Sequence, residues 1–398
     1  MKKEQLIAMA NNPAVLEQQL IAWRHELHMH PETAFEEVET SRFISNLLEA
    51  AGLDVHRGIG GTGFVANLKV GTGKRVIGMR ADMDALNMTE EGEVPWRSQI
   101  PGKMHGCGHD GHMIMLLGAA LKLAVQPNFD GTIRFVFQPA EEPGTGAKAM
   151  MKDGLLEKFP MEEIYSLHNR PVKPFGTINT TSGPIQASED NFTITIQGKG
   201  GHASAPQNTI DPMIVASQVI LGLQTIVSRN VNPQSCAVIS CTEIHTDGAH
   251  NAIPSKAVIT GDTRSYSPEV QDLLEKRMRE ICMNICQAYG AKCDFLYTRV
   301  FDPTINWKDQ VKKCVAAGVR AAGAENTFDD FEPSTGSEDF GVFLQQIPGC
   351  NMFLGTGENE VMSNNTLLHN PRFDFNDKII MTGVNYWYEL AGICLPKA

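Results

Sequence analysis

Residues 104–121 read MHGCGHDGHMIMLLGAAL, a polar segment that runs directly into an apolar one. The polar part concentrates His and Cys, which bind borderline-soft divalent metals, among glycines that let the backbone bend closely. The apolar part predicts a buried helix, so we expect Cys107 and His109 at a helix N-terminus, where a thiolate is favoured. A polar loop with chance histidines is the alternative, but so many ligand-type side chains in nine residues favour a metal site.

The overall composition narrows the classes of function. The chain has 398 residues and a formal net charge of −12, which suggests two or three domains and disfavours nucleic acid, whose phosphates it would repel. We see no basic amphipathic segment and no long uncharged apolar run that would indicate a membrane. The N-terminus lacks the apolar segment of a signal peptide, and the nine cysteines have no framework spacing, so we expect a cytoplasmic protein.

Acidic and imidazole side chains follow several predicted strands. Strands expected at 76–80, 132–138 and 163–167 run into Asp82 and Asp84, Glu141 and Glu142, and His168, and a fourth strand is expected at 351–354. Mostly apolar strands that alternate with helices predict an α/β fold with a mostly parallel sheet. Sites in such sheets lie beyond the carboxyl ends of the strands, where these side chains are expected.

One glycine-rich segment imitates a nucleotide site. Residues 58–63, GIGGTG, match the dinucleotide-binding spacing, but residues 64–70 indicate a strand where that motif needs a helix. We therefore reject a nucleotide site and expect residues 64–70 and 76–80 to form a hairpin.

The pattern changes between residues 185 and 300. Strands at 191–197, 236–243, 256–265 and 292–300, with helices at 212–229 and 268–289, give the order β-α-β-β-α-β of a ferredoxin-like unit. We therefore expect a catalytic domain of residues 1–184 and 301–398, interrupted by a lid or dimerisation domain of residues 185–300.

Five side chains are candidate metal ligands: Cys107, His109, Glu142, His168 and His369. They are far apart in sequence, so their convergence is an inference from the fold. Singly, Glu142 could be a solvated loop charge, His168 a hydrogen-bonded core histidine and His369 a surface residue, because such groups are common.

Taken together, the motifs resemble a known family. CGHDGH at 107–112, PAEE at 139–142, GKGGHA at 198–203 and GSEDF at 336–340 resemble the M20 metallopeptidase family. The similarity is greatest to its amidohydrolase branch, which includes hippurate hydrolases, N-acyl amino acid hydrolases and auxin-conjugate hydrolases. It extends over nearly the whole chain, from HMHPE at 28–32 to His369.

The resemblance implies a site for two divalent ions, with Zn, Mn, Co and Ni all compatible. Cys107 would bridge the ions, and His109, Glu142, His168 and His369 would complete the ligand set. The resemblance further implies that Glu141 is the general base and that Asp84 orients a ligand. Asp82 stands where other branches have a metal-binding His, so its role is open, and His105 and His112 match the motif without being ligands in the family.

The resemblance also assigns residues of the inserted domain and the segment near it. His202 would stabilise the oxyanion in the active site of a neighbouring subunit, which implies a homodimer formed through this domain. Asn251, Arg264 and Gly336 would bind the substrate, with Arg264 suited to a carboxylate by its bidentate fork. A surface His and an Arg in an ordinary ion pair are the alternatives.

These observations predict a dinuclear metal-dependent amidohydrolase that cleaves N-acyl amino acids with Glu141 as base. The alternatives are a metallo-dipeptidase or carboxypeptidase on the same scaffold, a metal-binding protein without turnover, and thiol catalysis by Cys107. A carboxylate beside the ligand Glu142 argues against a pure metal binder, which would not need it.

Overall fold

The structure, a computed structural model, describes residues 1–357 and 367–397. These residues form two compact units. Unit 1 consists of Met1–Ile185, Ile305–Glu332 and Asp339–Ala398, and unit 2 of Gln186–Thr304 and Pro333–Glu338.

The α-helices of the described residues are α1 Lys3–Ala10, α2 Pro13–Met29, α3 Val38–Ala51, α4 His109–Val125, α5 Gly146–Lys152, α6 Leu155–Lys158, α7 Pro212–Arg229, α8 Pro268–Ala288, α9 Lys308–Ala322, α10 Gly341–Leu344 and α11 Ile380–Cys394. The strands are β1 Asp54–Arg57, β2 Phe64–Val70, β3 Val76–Asp82, β4 Gly131–Gln138, β5 Glu163–Pro174, β6 Ile178–Asn179, β7 Gly183–Gln186, β8 Glu189–Gln197, β9 Gly201–His202, β10 Ala237–Thr246, β11 Ala252–Ile253, β12 Lys256–Ser265, β13 Lys292–Phe301, β14 Thr304–Asn306, β15 Thr327–Phe328 and β16 Gly349–Gly357.

Unit 1 is built on an eight-stranded sheet with the order β1-β2-β4-β3-β5-β16-β6-β15. Its central strands β4, β3, β5 and β16 are parallel to one another. The β1–β2, β2–β4 and β16–β6 pairs are antiparallel. Residues alternate along each strand between two apolar clusters. Phe135 joins the cluster of α2, α4 and α11, and Val136 joins the cluster of α5 and α10. Helices therefore cover both faces, and the predicted α/β fold class is confirmed.

The expected hairpin between β2 and β3 is wrong. Strand β4 lies between them, antiparallel to β2 and parallel to β3. Phe64 of β2 and Phe137 of β4 pair across the sheet with ring centroids 4.6 Å apart. The almost fully buried β3 thus occupies the centre of the sheet, as a strand without a solvent-facing side requires.

Unit 2 contains the predicted β-α-β-β-α-β order as β8, α7, β10, β12, α8 and β13. These strands form an antiparallel sheet with the order β10-β12-β8-β13, and the apolar faces of α7 and α8 pack on it. Asp211 caps α7 and Ser267 caps α8, each by accepting a backbone N–H of the first turn.

One helix of the described residues, α7, is long and apolar enough to meet the criterion for a membrane span. The expectation that the chain has no long uncharged apolar run is therefore wrong for residues 212–229. Its buried residues include Val219, Leu223 and Ile226, which belong to the apolar cluster of unit 2, and core helices commonly meet the same criterion.

Candidate metal centre

The turn before α4 presents Cys107 and His109. Gly108 between them has φ 91°, and a Cβ there would lie 2.6 Å from the Oδ1 atom of Asn169. Glycine is therefore needed on both conformational and steric grounds. Burial, together with the nearby carboxylate of Glu142, raises the pKa of the Cys107 thiol well above its usual range. A thiolate at this place is stable only beside a positive charge, such as a metal ion.

The carboxyl edge of the parallel strands supplies the other side chains. Strand β3 ends at Asp82, which pairs in register with Gln138, the last residue of β4. His168 of β5 pairs in register with Phe353 of β16. Because these strands run in the same direction, Asp82 and the residues that follow Gln138 meet at one end of the sheet. The expectation that a strand ends before His168 is wrong, because β5 continues through His168 to Pro174, where it pairs with β16.

Asp84 organises the turn that follows β4. Its Oδ1 and Oδ2 atoms accept the backbone N–H groups of Glu141 and Glu142, each at 3.0 Å. Its carbonyl oxygen lies 2.8 Å from Nδ1 of His109, which donates to it. The other ring nitrogen, Nε2 of His109, is buried and has no hydrogen-bond partner. Asp84 thus orients both the carboxylate pair and an imidazole.

The five predicted ligands lie together in unit 1. Nε2 of His168 is 3.5 Å from Sγ of Cys107, and Oε1 of Glu142 is 3.9 Å from Nε2 of His109 and 3.4 Å from Nε2 of His369. Cys107, Glu142 and His369 form one group with ligand atoms within 4.8 Å of one another. His369 has φ 60°, and its backbone N–H donates to Gly106, so its loop is tied to the loop of Cys107.

The donor set fits a divalent metal. Nε2 of His109 is buried without a hydrogen bond, which is costly unless another partner satisfies it, and the buried Oε1 of Glu142 has the 3.4 Å contact with His369. Burial lowers the pKa of His109, but the charges of Asp82 and Cys107 outweigh it and raise that pKa well above its usual value. A positive charge is therefore favoured at this position, and a cation between thiolate, imidazole and carboxylate groups would supply it.

Glu141 lies beside the ligand candidates without a place among the five. Its side chain is buried, its Oε1 accepts the backbone N–H of Asp339 at 3.4 Å, and it groups with His109 and Glu142 within 4.8 Å. The preceding Ala140 has φ 50°, a left-handed conformation that is uncommon for alanine. Its N–H donates to the buried carboxylate of Glu37 at 2.9 Å. Such strain is common where a turn aims a functional side chain.

Sequence reasoning missed the buried partners of the α2 histidine segment. His28, one residue before the end of α2, is fully buried, with Nδ1 2.8 Å from Asp110 and Nε2 3.5 Å from Glu90. Arg24, also fully buried, contacts Asp110 at 3.4 Å. Burial lowers the pKa of His105 to about 3, which keeps this imidazole neutral. The HMHPE motif at 28–32 marked this segment in the sequence. The burial of His28 could not be predicted from it, because its partners Asp110 and Glu90 are far away in the chain.

The remaining predicted residues lie in unit 2. His202 of β9 is exposed, and its Nδ1 lies 3.2 Å from the Ser204 N–H, which donates to it. The protonated nitrogen of the neutral ring is then Nε2, which is available as a donor. The backbone carbonyl oxygen of Asn251 accepts the backbone N–H of Ala203 at 3.0 Å. Asn251 therefore lies close to His202, the residue before Ala203.

Arg264 contacts the segment that contains Gly336 through the next residue, Ser337. The guanidinium of Arg264 contacts Glu189 and Asp262, each at 2.7 Å, and donates to Oγ of Ser337 at 2.8 Å. The backbone of Gly336 is exposed beside that serine. Arg264 is therefore already in ion pairs, the alternative weighed for it from the sequence.

Known proteins with similar sequences belong to the family that the motifs resemble. The model for Peptidase family M20/M25/M40 matches residues 78–392, which confirms the resemblance inferred from the motifs. The hippurate hydrolase of Campylobacter jejuni is 39% identical over 368 residues, with 92% of this chain and 94% of that protein covered. An N-acetylcysteine deacetylase of Bacillus subtilis is 36% identical over 380 residues, with 94% and 97% covered.

A solved structure agrees. The Bacillus subtilis YXEP protein, described as a dinuclear metal binding peptidase from the M20 family, matches with a TM-score of 0.84 at 32% identity. The match covers 97% of this chain and 100% of that one.

Proposed function

The chain belongs to peptidase family M20, whose members hydrolyse amide bonds, and we propose that it is a dinuclear metal-dependent amidohydrolase of N-acyl amino acids. One observation carries the proposal. The buried carboxylate of Glu141 lies within 4.8 Å of His109 and Glu142, directly beside the five candidate ligands. Relatives named hippurate hydrolase and N-acetylcysteine deacetylase support the substrate class.

Two divalent ions, Zn, Mn, Co or Ni, fit the ligand set. The residues that would hold them are Cys107, His109, Glu142, His168 and His369. Such ions, when bound, lower the pKa of water and polarise a carbonyl group. The mixture of one thiolate, three imidazoles and one carboxylate is compatible with each of these metals.

Glu141 acts as the general base and then as the general acid. It takes a proton from the attacking water and returns that proton to the amine that leaves. Asp84 holds the N–H groups of Glu141 and Glu142 and so fixes the direction of the base relative to the ligands. This positioning confines proton transfer to one geometry.

Residues of unit 2 complete the proposal. His202 donates from Nε2 to the developing oxyanion, Asn251 and Arg264 hold the substrate carboxylate, and Gly336 also contacts the substrate. Arg264 must then share its guanidinium between that carboxylate and Glu189. We further propose a homodimer in which His202 serves the partner's site. A cytoplasmic location fits nine cysteines that are all free thiols.

The second candidate is a metallo-dipeptidase or carboxypeptidase, because the YXEP protein is described as a peptidase. Metal ligands and base would be the same, and only the substrate pocket would differ. A panel of N-acetyl, N-benzoyl and longer N-acyl amino acids, run beside dipeptides on metal-reconstituted protein, distinguishes them. Faster cleavage of dipeptides by kcat/KM would favour the peptidase.

Glu141→Gln tests the chemistry, with Glu142→Gln as its neighbour control. We expect Glu141→Gln to keep its metal and lose about 10²–10⁴ in kcat, because only proton transfer is removed. Glu142→Gln should lose metal and activity together. Near-normal kcat in Glu141→Gln contradicts the assignment. Chelation should abolish activity, and resistance to alkylation with metal bound would exclude thiol catalysis.

A further inference from the structure

His112 lies next to the candidate ligands, yet both of its ring nitrogens are held by the protein. Its Nδ1 is 2.6 Å from Oδ1 of Asp82. Its Nε2 is 3.0 Å from the backbone nitrogen of Asn169 and 2.6 Å from the side-chain amide of the same residue. The ring is almost fully buried. Neither nitrogen is therefore open to a metal ion.

The backbone contact decides the tautomer of His112. A backbone N–H can only donate, so Nε2 of His112 accepts from Asn169 and the ring proton lies on Nδ1, which donates to Asp82. The side-chain amide of Asn169 agrees with this arrangement when its NH2 group faces Nε2. In the opposite orientation Nδ2 of Asn169 is buried without a hydrogen bond.

Asp82 is a rigid anchor for this ring. Its second oxygen, Oδ2, accepts from Nη1 of Arg80 at 2.8 Å. Arg80 is fully buried and donates also to Gln138 at 2.8 Å and to Asp339 at 3.1 Å. Both Asp82 oxygens thus have protein donors, and the Asp82–His112 pair is fixed to three segments of unit 1.

Asn169 connects His112 to a ligand. Its carbonyl oxygen lies 2.8 Å from Nδ1 of His168, which donates to it, so the free nitrogen of His168 is Nε2, the atom 3.5 Å from the Cys107 sulfur. The ring of His112 also packs edge-on against His168, with centroids 4.4 Å apart. Small movements of His112 would therefore rotate the ligand.

We propose that His112 is a positioning residue that sets the orientation of the ligand His168 through Asn169, with Asp82 as its anchor. The inference rests on the proposed metal site. Outer partners of this kind typically change metal affinity by about 10- to 100-fold. Two substitutions separate the contacts, because the amide of Asn reaches the place of Nδ1 and that of Gln reaches the place of Nε2. His112→Asn keeps Asp82, and His112→Gln keeps Asn169.

Cobalt titration of metal-free protein measures the effect without turnover. Absorbance gives the affinity and the thiolate–cobalt band, and metal analysis gives the stoichiometry. We expect two ions at saturation in all His112 variants, with affinity about 10- to 100-fold weaker in His112→Asn and partly recovered in His112→Gln. His25→Asn is the matched control, because Nε2 of His25 makes an equally short 2.7 Å contact with Asp377 and touches no candidate ligand.

Each other outcome overturns the inference. Loss of one ion in both His112 variants would make His112 a ligand. Unchanged affinity, with a lower melting temperature of the metal-free variants alone, would make its role purely structural. A wild-type protein that binds no cobalt would instead overturn the proposed function, since the site itself would then be absent.

Discussion

Replacing Asp84 with Asn tests how far one buried carboxylate organises the metal centre. Asp84 accepts two backbone N–H groups at 3.0 Å, from Glu141 and Glu142, and is 1% exposed. In the variant, an NH2 group faces one of these N–H groups. The charge-assisted bond that is lost contributes about 1.5–3 kcal/mol, and the buried N–H left unpaired costs about 1–3 kcal/mol. These effects overlap, so we expect a net cost of about 3 kcal/mol.

We expect this free-energy cost to make the turn that carries Glu141 and Glu142 less ordered. A cost of about 3 kcal/mol corresponds to about 100-fold, which we expect as weaker metal affinity or lower kcat/KM. A chelator competition measures the affinity, and assays at saturating metal measure kcat/KM. Asp130→Asn is the matched control, since Asp130 accepts the Gly73 N–H at 2.7 Å before β4, at the opposite edge of the sheet. If both variants lie within threefold of each other in both measurements, Asp84 does not position the site.

Three further perturbations test the ligand set, the oxyanion donor and the buried α2 network. Cys107→Ser should weaken metal binding, because a neutral hydroxyl replaces a thiolate, and two ions retained after dialysis would count against the bridge. His202→Ala should lower kcat by about 10²–10³ at unchanged metal content. Mixing it with Glu141→Gln should restore part of the activity if the donor acts across a dimer, and a normal kcat in His202→Ala would exclude the donor role. Burial lowers the pKa of His28, but Asp110 and Glu90 raise it to about 9, so its stabilisation is complete below pH 6.5 and is lost as the pH rises through about 9. The free energy of unfolding of the metal-free protein should fall by about 3 kcal/mol over that interval, whereas equal losses in His28→Gln would contradict this origin.

The sequence predicted those features that depend on neighbouring residues. The apolar run after His109 and the strands that end at Asp82 and Gln138 have local signatures, so the α/β fold class and the density of ligand-type side chains could be read directly. The capping residues Asp211 and Ser267 likewise act within one helical turn.

Features that depend on distant partners were missed. Strand β4 inserts between β2 and β3, and nothing in residues 64–80 indicates a strand that begins at Gly131. The burial of His28 depends on Asp110 and Glu90, and that of Asp82 on Arg80 and His112. A buried charge looks like a surface charge in sequence, because only its counter-charges in the fold distinguish the two.

The placement of unit 2 within the chain has a consequence for biosynthesis. Ribosomes make the residues of β8–β13 before β16 and before His369, although β16 lies beside β5 in the sheet of unit 1. At about 5–20 residues per second, the interval between the synthesis of Cys107 and that of His369 is on the order of 10–50 s. Once Thr304 has been made, unit 2 has nearly all of its chain, whereas β5 still lacks its neighbour β16, which is made afterwards. The β5–β16 pairing of the sheet and the full set of candidate metal ligands can therefore form only near the end of translation.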